Sequence, residues 1–149
     1  MRTETAPKTI YLKDYTAPDF RVDKVDLLVQ LDAEGAVVTS TARYIAKHDG
    51  AKSLTLDGEC MELLSVRVNG MLLDAAAYHL SEHSLTLSAV PSDFTLEIVT
   101  RFDPAKNTAL EGLYKSGDTY CTQCEAQGFR RITYFIDRPD IMTVFTTRI

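Results

Sequence analysis

From Val22 onward, apolar and polar residues alternate one by one instead of recurring every three or four positions, and this restricts the fold more than any other feature of the chain. Val25, Leu27, Val29 and Leu31 alternate with Asp26, Leu28, Gln30 and Asp32. Side chains two apart on an extended backbone share a face, so this pattern describes a strand with one buried side. Ala33-Glu34-Gly35 is a short turn, and Val37 to Lys47 continues in β-branched and aromatic residues, which predicts a hairpin. His48-Asp49-Gly50 interrupts the chain, and Leu54-Thr55-Leu56 is a short strand. Leu63 to Val68, Asn69-Gly70 and Met71 to Leu73 give the clearest hairpin signal, because Asn-Gly tolerates the positive φ angles of a two-residue turn. His79 to Leu87 and Phe94 to Phe102 read as further strands on either side of Pro91 and Ser92.

Asp103 to Asp118 reads as irregular, and Tyr120 to Phe129, Ile132 to Ile136 and Met142 to Ile149 read as three more strands. The only helix-like stretch, Pro104 to Leu113, is short and weakened by Gly112. Many short strands separated by turn signals predict an all-β sandwich or barrel. The 149 residues fit a single β-domain over 1–149, with residues 1–20 as an irregular arm containing Pro7 and Pro18. The last residues, Val144 to Ile149, form a strand pattern with no turn after it, so the chain reads as the amino-terminal piece of a longer protein. A net charge of -5 argues against a nucleic acid or an anionic membrane as partner. Three cysteines and a polar first segment without a signal-peptide core fit reduced thiols in the cytoplasm.

Candidate chemistry concentrates in Cys121 to Arg130. Gln123 and Glu125 stand two residues apart in a segment that reads as extended, so both side chains fall on one face, roughly 7 Å apart along the backbone. An amide oxygen and a carboxylate placed in this way can converge on one ammonium group; the plainer alternative is the polar edge of a sheet. Cys121 and Cys124 form a C-x-x-C, which could be half of a zinc site or a redox pair. On a strand their sulfurs point to opposite faces, which favours two separately packed free thiols. His79 and His83 lie four apart and His48 stands alone; surface histidines are the expected reading. Gly35, Gly50, Gly58 and Gly70 are scattered turn residues that form no phosphate loop, and Asp137-Arg138-Pro139-Asp140 is a polar turn held by local hydrogen bonds.

The words Tyr15 to Asp19 (YTAPD), Asn107 to Asp118 (NTALEGLYKSGD), Cys121 to Arg130 (CTQCEAQGFR) and Ile132 to Asp140 (ITYFIDRPD) resemble the amino-terminal β-domain of the bacterial aminopeptidase N family, gluzincin zinc metallopeptidases also called membrane alanyl aminopeptidases. The similarity runs from about Tyr15 to the last residue and is most specific from Asn107 to Asp140. It implies an all-β domain, an antiparallel β-sandwich or saddle-shaped multi-stranded sheet with little or no helix. It implies a parent enzyme that removes single residues from the free amino terminus of peptides, using one zinc held by H-E-x-x-H and a later glutamate. Neither that motif nor the family's G-A-M-E-N word occurs in this chain, so the chain alone is expected to be inactive, with no catalytic or metal-ligating residue of its own. By the resemblance, Glu125 binds the substrate's α-ammonium group and Gln123 orients the first residue. A carboxylate shielded from water tells a free ammonium from an internal amide, because the internal peptide leaves it unpaired. The implied partners are a peptide amino terminus and the catalytic domain of the same polypeptide. The alternative is a stand-alone β-sandwich module that binds a peptide or protein without catalysis.

Overall fold

The computed structural model describes residue 9, residues 11–32 and residues 35–149. Most of the expected arm before residue 11, and Ala33-Glu34 of the first turn, lie outside the described residues. The strands that follow are β1 (Phe20–Asp32), β2 (Gly35–Ala46), β3 (Leu54–Asp57), β4 (Glu62–Val68), β5 (Met71–Leu72), β6 (Tyr78–Leu80), β7 (Ser84–Leu87), β8 (Asp93–Phe102), β9 (Gly112–Ser116), β10 (Thr119–Gln123) and β11 (Val144–Arg148). Helical geometry among the described residues is limited to 3-10 turns of three residues at Leu12–Asp14, Ala75–Ala77, Pro104–Lys106 and Phe129–Arg131. The chain is all-β, as the alternation predicts. No helix among the described residues is long and apolar enough to cross a membrane.

One sheet has six strands in the order β11-β1-β2-β8-β4-β5; a second is β3-β7-β6; β9 and β10 form a two-stranded ribbon. The inner faces of the two larger sheets share one core, to which β1 gives Val25 and Leu27, β2 Val38 and Tyr44, β8 Leu96 and Ile98, β3 Leu54 and Leu56, and β7 Leu85 and Leu87. Tyr44 stacks on Phe94 at 5.6 Å, and Phe94 meets Phe20 edge-on at 6.0 Å. Both interactions fix side chains already committed to the core. Burial pushes the Tyr44 phenol far above its ordinary pKa.

A bulge lets β1 keep one face buried along its length. Val22 pairs with Tyr44 and Lys24 with Arg43, so Asp23 is the extra residue. Phe20 and Val22 before it, and Val25, Leu27 and Val29 after it, are therefore all buried although the two sets differ in parity. The Asn69-Gly70 turn is as expected, with φ of 50° and 80° between paired Val68 and Met71.

The structure corrects several expectations. The pairings are antiparallel except that β11 lies parallel to β1, with Val25 opposite Phe145. The segment leading into β11 runs beside the arm leading into β1: Arg138 Nη2 donates to the Thr16 carbonyl at 2.9 Å and the Tyr15 hydroxyl to Asp140 at 3.0 Å. Both strands thus enter the sheet from one end. His79 to Leu87 is a hairpin of β6 and β7, turned where Ser81 N–H donates to the Ser84 carbonyl at 2.8 Å. Part of the expected irregular stretch forms β9, which starts at Gly112 with φ of +71° and turns into β10 at Gly117 with φ of +59°. Glycine reaches those angles without the steric penalty of a Cβ.

Ile132 to Ile136 is not a strand. Each of its residues is buried, and among the described residues its only ladder contact is a bridge between Phe135 and Asp57. Covered on all sides, this run carries strand-like residues without a sheet to join. The Thr100 hydroxyl in β8 ties it to the large sheet by donating to the Ile132 carbonyl at 3.0 Å.

Candidate functional site

The β9–β10 ribbon carries Gln123 at its end, paired with Gly112. The chain then leaves the sheet and turns through residues 125–128, with a cis peptide bond between Glu125 and Ala126. Gly128 N–H donates to the Cys124 carbonyl at 2.9 Å and closes the loop. Gly128 is packed so tightly that an added Cβ would stand 2.4 Å from the Gln123 carbonyl oxygen and 3.1 Å from the Gly112 nitrogen. Both ends of the loop therefore rest on Gly112, whose own Cβ would come 2.7 Å from Cβ of Arg131. Asn107 holds the other side of Gly112, its Nδ2 donating to the Glu111 carbonyl at 2.7 Å and the Leu113 carbonyl at 2.9 Å.

Gln123 and Glu125 are brought together on this loop, but not as two residues of one strand, since β10 stops at Gln123. The turn, which no alternation pattern signals, sets their geometry instead. Gln123 Nε2 donates to the Glu125 carbonyl at 3.2 Å, which leaves the Gln123 amide oxygen able to accept. Among the described residues the Glu125 carboxylate enters no hydrogen bond or ion pair. Both residues are exposed in this chain, which does not itself provide the shielding expected around Glu125. A carboxylate and an amide oxygen on one loop can both accept from a group that donates, such as an ammonium.

Behind the loop lies an ion pair that the sequence reading left out. Asp137 is 7% exposed, and its carboxylate accepts from Arg130 N–H at 3.1 Å and Arg130 Nε at 2.9 Å. Arg130 Nη2 also donates to the Asp137 carbonyl at 3.0 Å, and Asp137 N–H donates to Asp57 at the end of β3 at 3.1 Å. Burial first, and the Asp137 charge second, push the Cys124 thiol above its ordinary pKa, so Asp137 acts on the base of the loop. An aspartate closing the apolar run Ile132 to Ile136 was the available signal, because a charge in such a run is rarely buried without a partner.

The other candidates stand apart. Cys121 and Cys124 are half-buried free thiols, one at the strand's middle and one beyond its end, and Cys60 is an exposed one. His48, His79 and His83 are exposed; His48 lies 3.0 Å from Asp19, and His83 3.8 Å from Glu59. Among the described residues no three His, Cys, Asp or Glu side chains gather in a group that could hold a metal ion. A cavity of about 580 Å³ between Met61, Phe102, Lys106 and Arg131, and one of about 240 Å³ between Pro18, Leu54, Ile136 and Arg138, include neither Gln123 nor Glu125. The 137–140 turn is held locally as expected, with Arg138 forked onto Asp140 at 2.9 and 2.7 Å.

Residues 24–149 match the family model for the Peptidase M1 N-terminal domain. The chain is 46% identical to aminopeptidase N of Escherichia coli (strain K12) over 143 residues, covering 96% of this chain and 16% of that protein. With aminopeptidase N of Haemophilus influenzae it shares 43% identity over 145 residues, covering 95% of this chain and again 16% of the relative. The chain thus spans 16% of the length of these curated relatives. Among solved structures, Legionella pneumophila aminopeptidase A in complex with aspartic acid superposes with a TM-score of 0.86 at 31% identity, over 91% of this chain and 16% of that one. An M1 zinc metallopeptidase from Deinococcus radiodurans, at 14% identity and a TM-score of 0.70, covers 88% of this chain and 32% of its own; that likeness concerns the fold.

Proposed function

The chain belongs to the Peptidase M1 N-terminal domain family, and from that membership we propose that it is the substrate-recognition part of a zinc aminopeptidase. The parent enzyme removes single residues from the free amino terminus of peptides. Glu125 binds the α-ammonium group and Gln123 orients the first residue. The observation that carries this reading is that Glu125, whose carboxylate has no partner among the described residues, shares a loop with Gln123, whose amide bonds the Glu125 carbonyl, and that the two ends of the loop are pinned at Gly112. A carboxylate on a loop held this firmly selects a cationic donor without first having to order itself.

The zinc belongs to the remainder of the polypeptide, where it supplies a Lewis acid for the scissile carbonyl and an activated water. This chain's residues bind and orient. Its partners are the peptide terminus and the catalytic part of the same polypeptide, which covers Glu125 and makes an unpaired carboxylate costly. The parent is placed in the cytoplasm, in keeping with three free thiols and with a net charge of -5 that suits neither nucleic acid nor an anionic membrane surface.

The test is Glu125→Gln in the full-length enzyme. A charge-assisted hydrogen bond contributes on the order of 1.5–3 kcal/mol, so KM for unblocked peptide arylamides should rise about 10- to 150-fold at unchanged zinc content. Unaltered KM accompanied by lost zinc would show that Glu125 has another role.

A further inference from the structure

Arg130 and Asp137 form a largely buried polar arrangement that touches neither proposed ligand-binding side chain among the described residues. Asp137 is nearly buried and Arg130 mostly so, with 22% of its side chain exposed. Between them run three hydrogen bonds, two onto Asp137 Oδ2 and one onto the Asp137 carbonyl. A buried ion pair adds little stability over a well-packed apolar pair, because desolvation consumes most of the attraction. What it provides is direction: a guanidinium fork and a carboxylate fix each other's position and angle.

The position fixed here is the downstream end of the Gln123–Gly128 loop. Arg130 follows Gly128 by two residues, and Arg131 N–H bonds back to the Gly128 carbonyl at 3.1 Å. Glu59 N–H donates to the Arg130 carbonyl at 3.1 Å, so the same residue is held from a second side. Asp137, for its part, is tied through its own N–H to Asp57, and Asp57 exchanges backbone bonds with Phe135 at 2.7 and 3.0 Å. The pair thus connects the loop to the three-stranded sheet. Glu125 lies between this anchor and the Gly112 pairing, and its carboxylate accepts no hydrogen bond among the described residues.

We propose that Arg130 and Asp137 are positioning residues for Glu125, setting where its carboxylate stands when it meets the substrate's ammonium group. This rests on the reading of Glu125 given above. Neither residue touches substrate. Their contribution passes through the backbone of residues 124–128, and it should show as a change in substrate affinity that depends on Glu125 being present.

A double-mutant cycle in the full-length enzyme tests this. Asp137→Asn keeps the shape and loses the charge; Arg130→Lys keeps the charge and loses the fork, and stands in should the first variant not fold. Misplacement of a binding group by about an ångström costs up to about 100-fold, so each variant is expected to raise KM about tenfold while kcat changes less than about twofold. In the Glu125→Gln background the same substitutions should shift KM less than about twofold, because the group they position is gone. A KM effect of equal size in both backgrounds, or a loss confined to kcat and thermal stability, would overturn the proposal and leave the pair a structural brace. Should Glu125→Gln by itself leave KM unaltered, the reading of Glu125 falls first, and the positioning role falls with it.

Discussion

Asp140 illustrates how much a single exposed-edge residue is shaped by its neighbours. The Arg138 fork holds the Asp140 carboxyl below the usual carboxylate range against a smaller opposing effect of desolvation, and the Tyr15 hydroxyl adds a lesser lowering. A carboxyl lowered in the folded state stabilises that state fully above its ordinary pKa, and the contribution is lost as pH falls through the lowered value. The clasp between the arm at Tyr15 and the turn at Asp140 should therefore persist at pH 5 and release only in stronger acid. A carboxyl-carbon NMR titration checks this: Arg138→Ala should bring the Asp140 midpoint back up to the ordinary carboxylate range, and an unmoved midpoint would deny the fork its role. The same turn was legible in the sequence as a locally bonded motif. Gln123 and Glu125 were legible for a reason the structure replaces: spacing placed them on one strand face, whereas a turn closed at Gly128 sets them side by side. Asp137 went unread because its importance comes from burial, and burial depends on Ile132 to Ile136 being enclosed on every side.

Among the elements, β1, β2 and β8 could be read directly, since each has one wet face and one dry face and so repeats with period two. The segments that misled are those without such a division. Ile132 to Ile136 is apolar throughout and has strand composition without strand pairing, while Gly112–Ser116 was hidden because its neighbours are loop residues. The bulge at Asp23 shows what period-two reading can conceal, for it reverses parity in mid-strand. Deleting Asp23 would remove the bulge and leave Phe20, Val22, Val25, Leu27 and Val29 in one unbroken alternation on the inner face, with the pairing to β2 unchanged. Turning Phe20 out of the core would cost about 3–5 kcal/mol. Urea unfolding of the deletion variant should show a loss well below that, and a loss of that size would mean that the bulge itself is needed to keep the face buried.

At the scale of the molecule, the all-β class followed from alternation and turn chemistry, while strand order did not, because pairing between distant segments leaves no local trace. Among its described residues the chain gathers no three His, Cys, Asp or Glu side chains to hold a metal ion, and in the proposed reading its part is to bind the ammonium group. Prepared by itself it is expected to release no arylamine from alanine or leucine arylamides, and turnover from a clean preparation would place catalytic groups within these 149 residues. The parallel pairing of β11 with β1 carries a consequence for biosynthesis. Lys24 finds its partner in Val144, so one edge of the sheet stays unzipped while almost all the intervening chain is translated. At ~5–20 residues per second that interval is on the order of ten seconds. For that time the nascent β1 edge is open to any passing strand, and whatever protects it on the ribosome helps determine how much of the protein reaches its folded state.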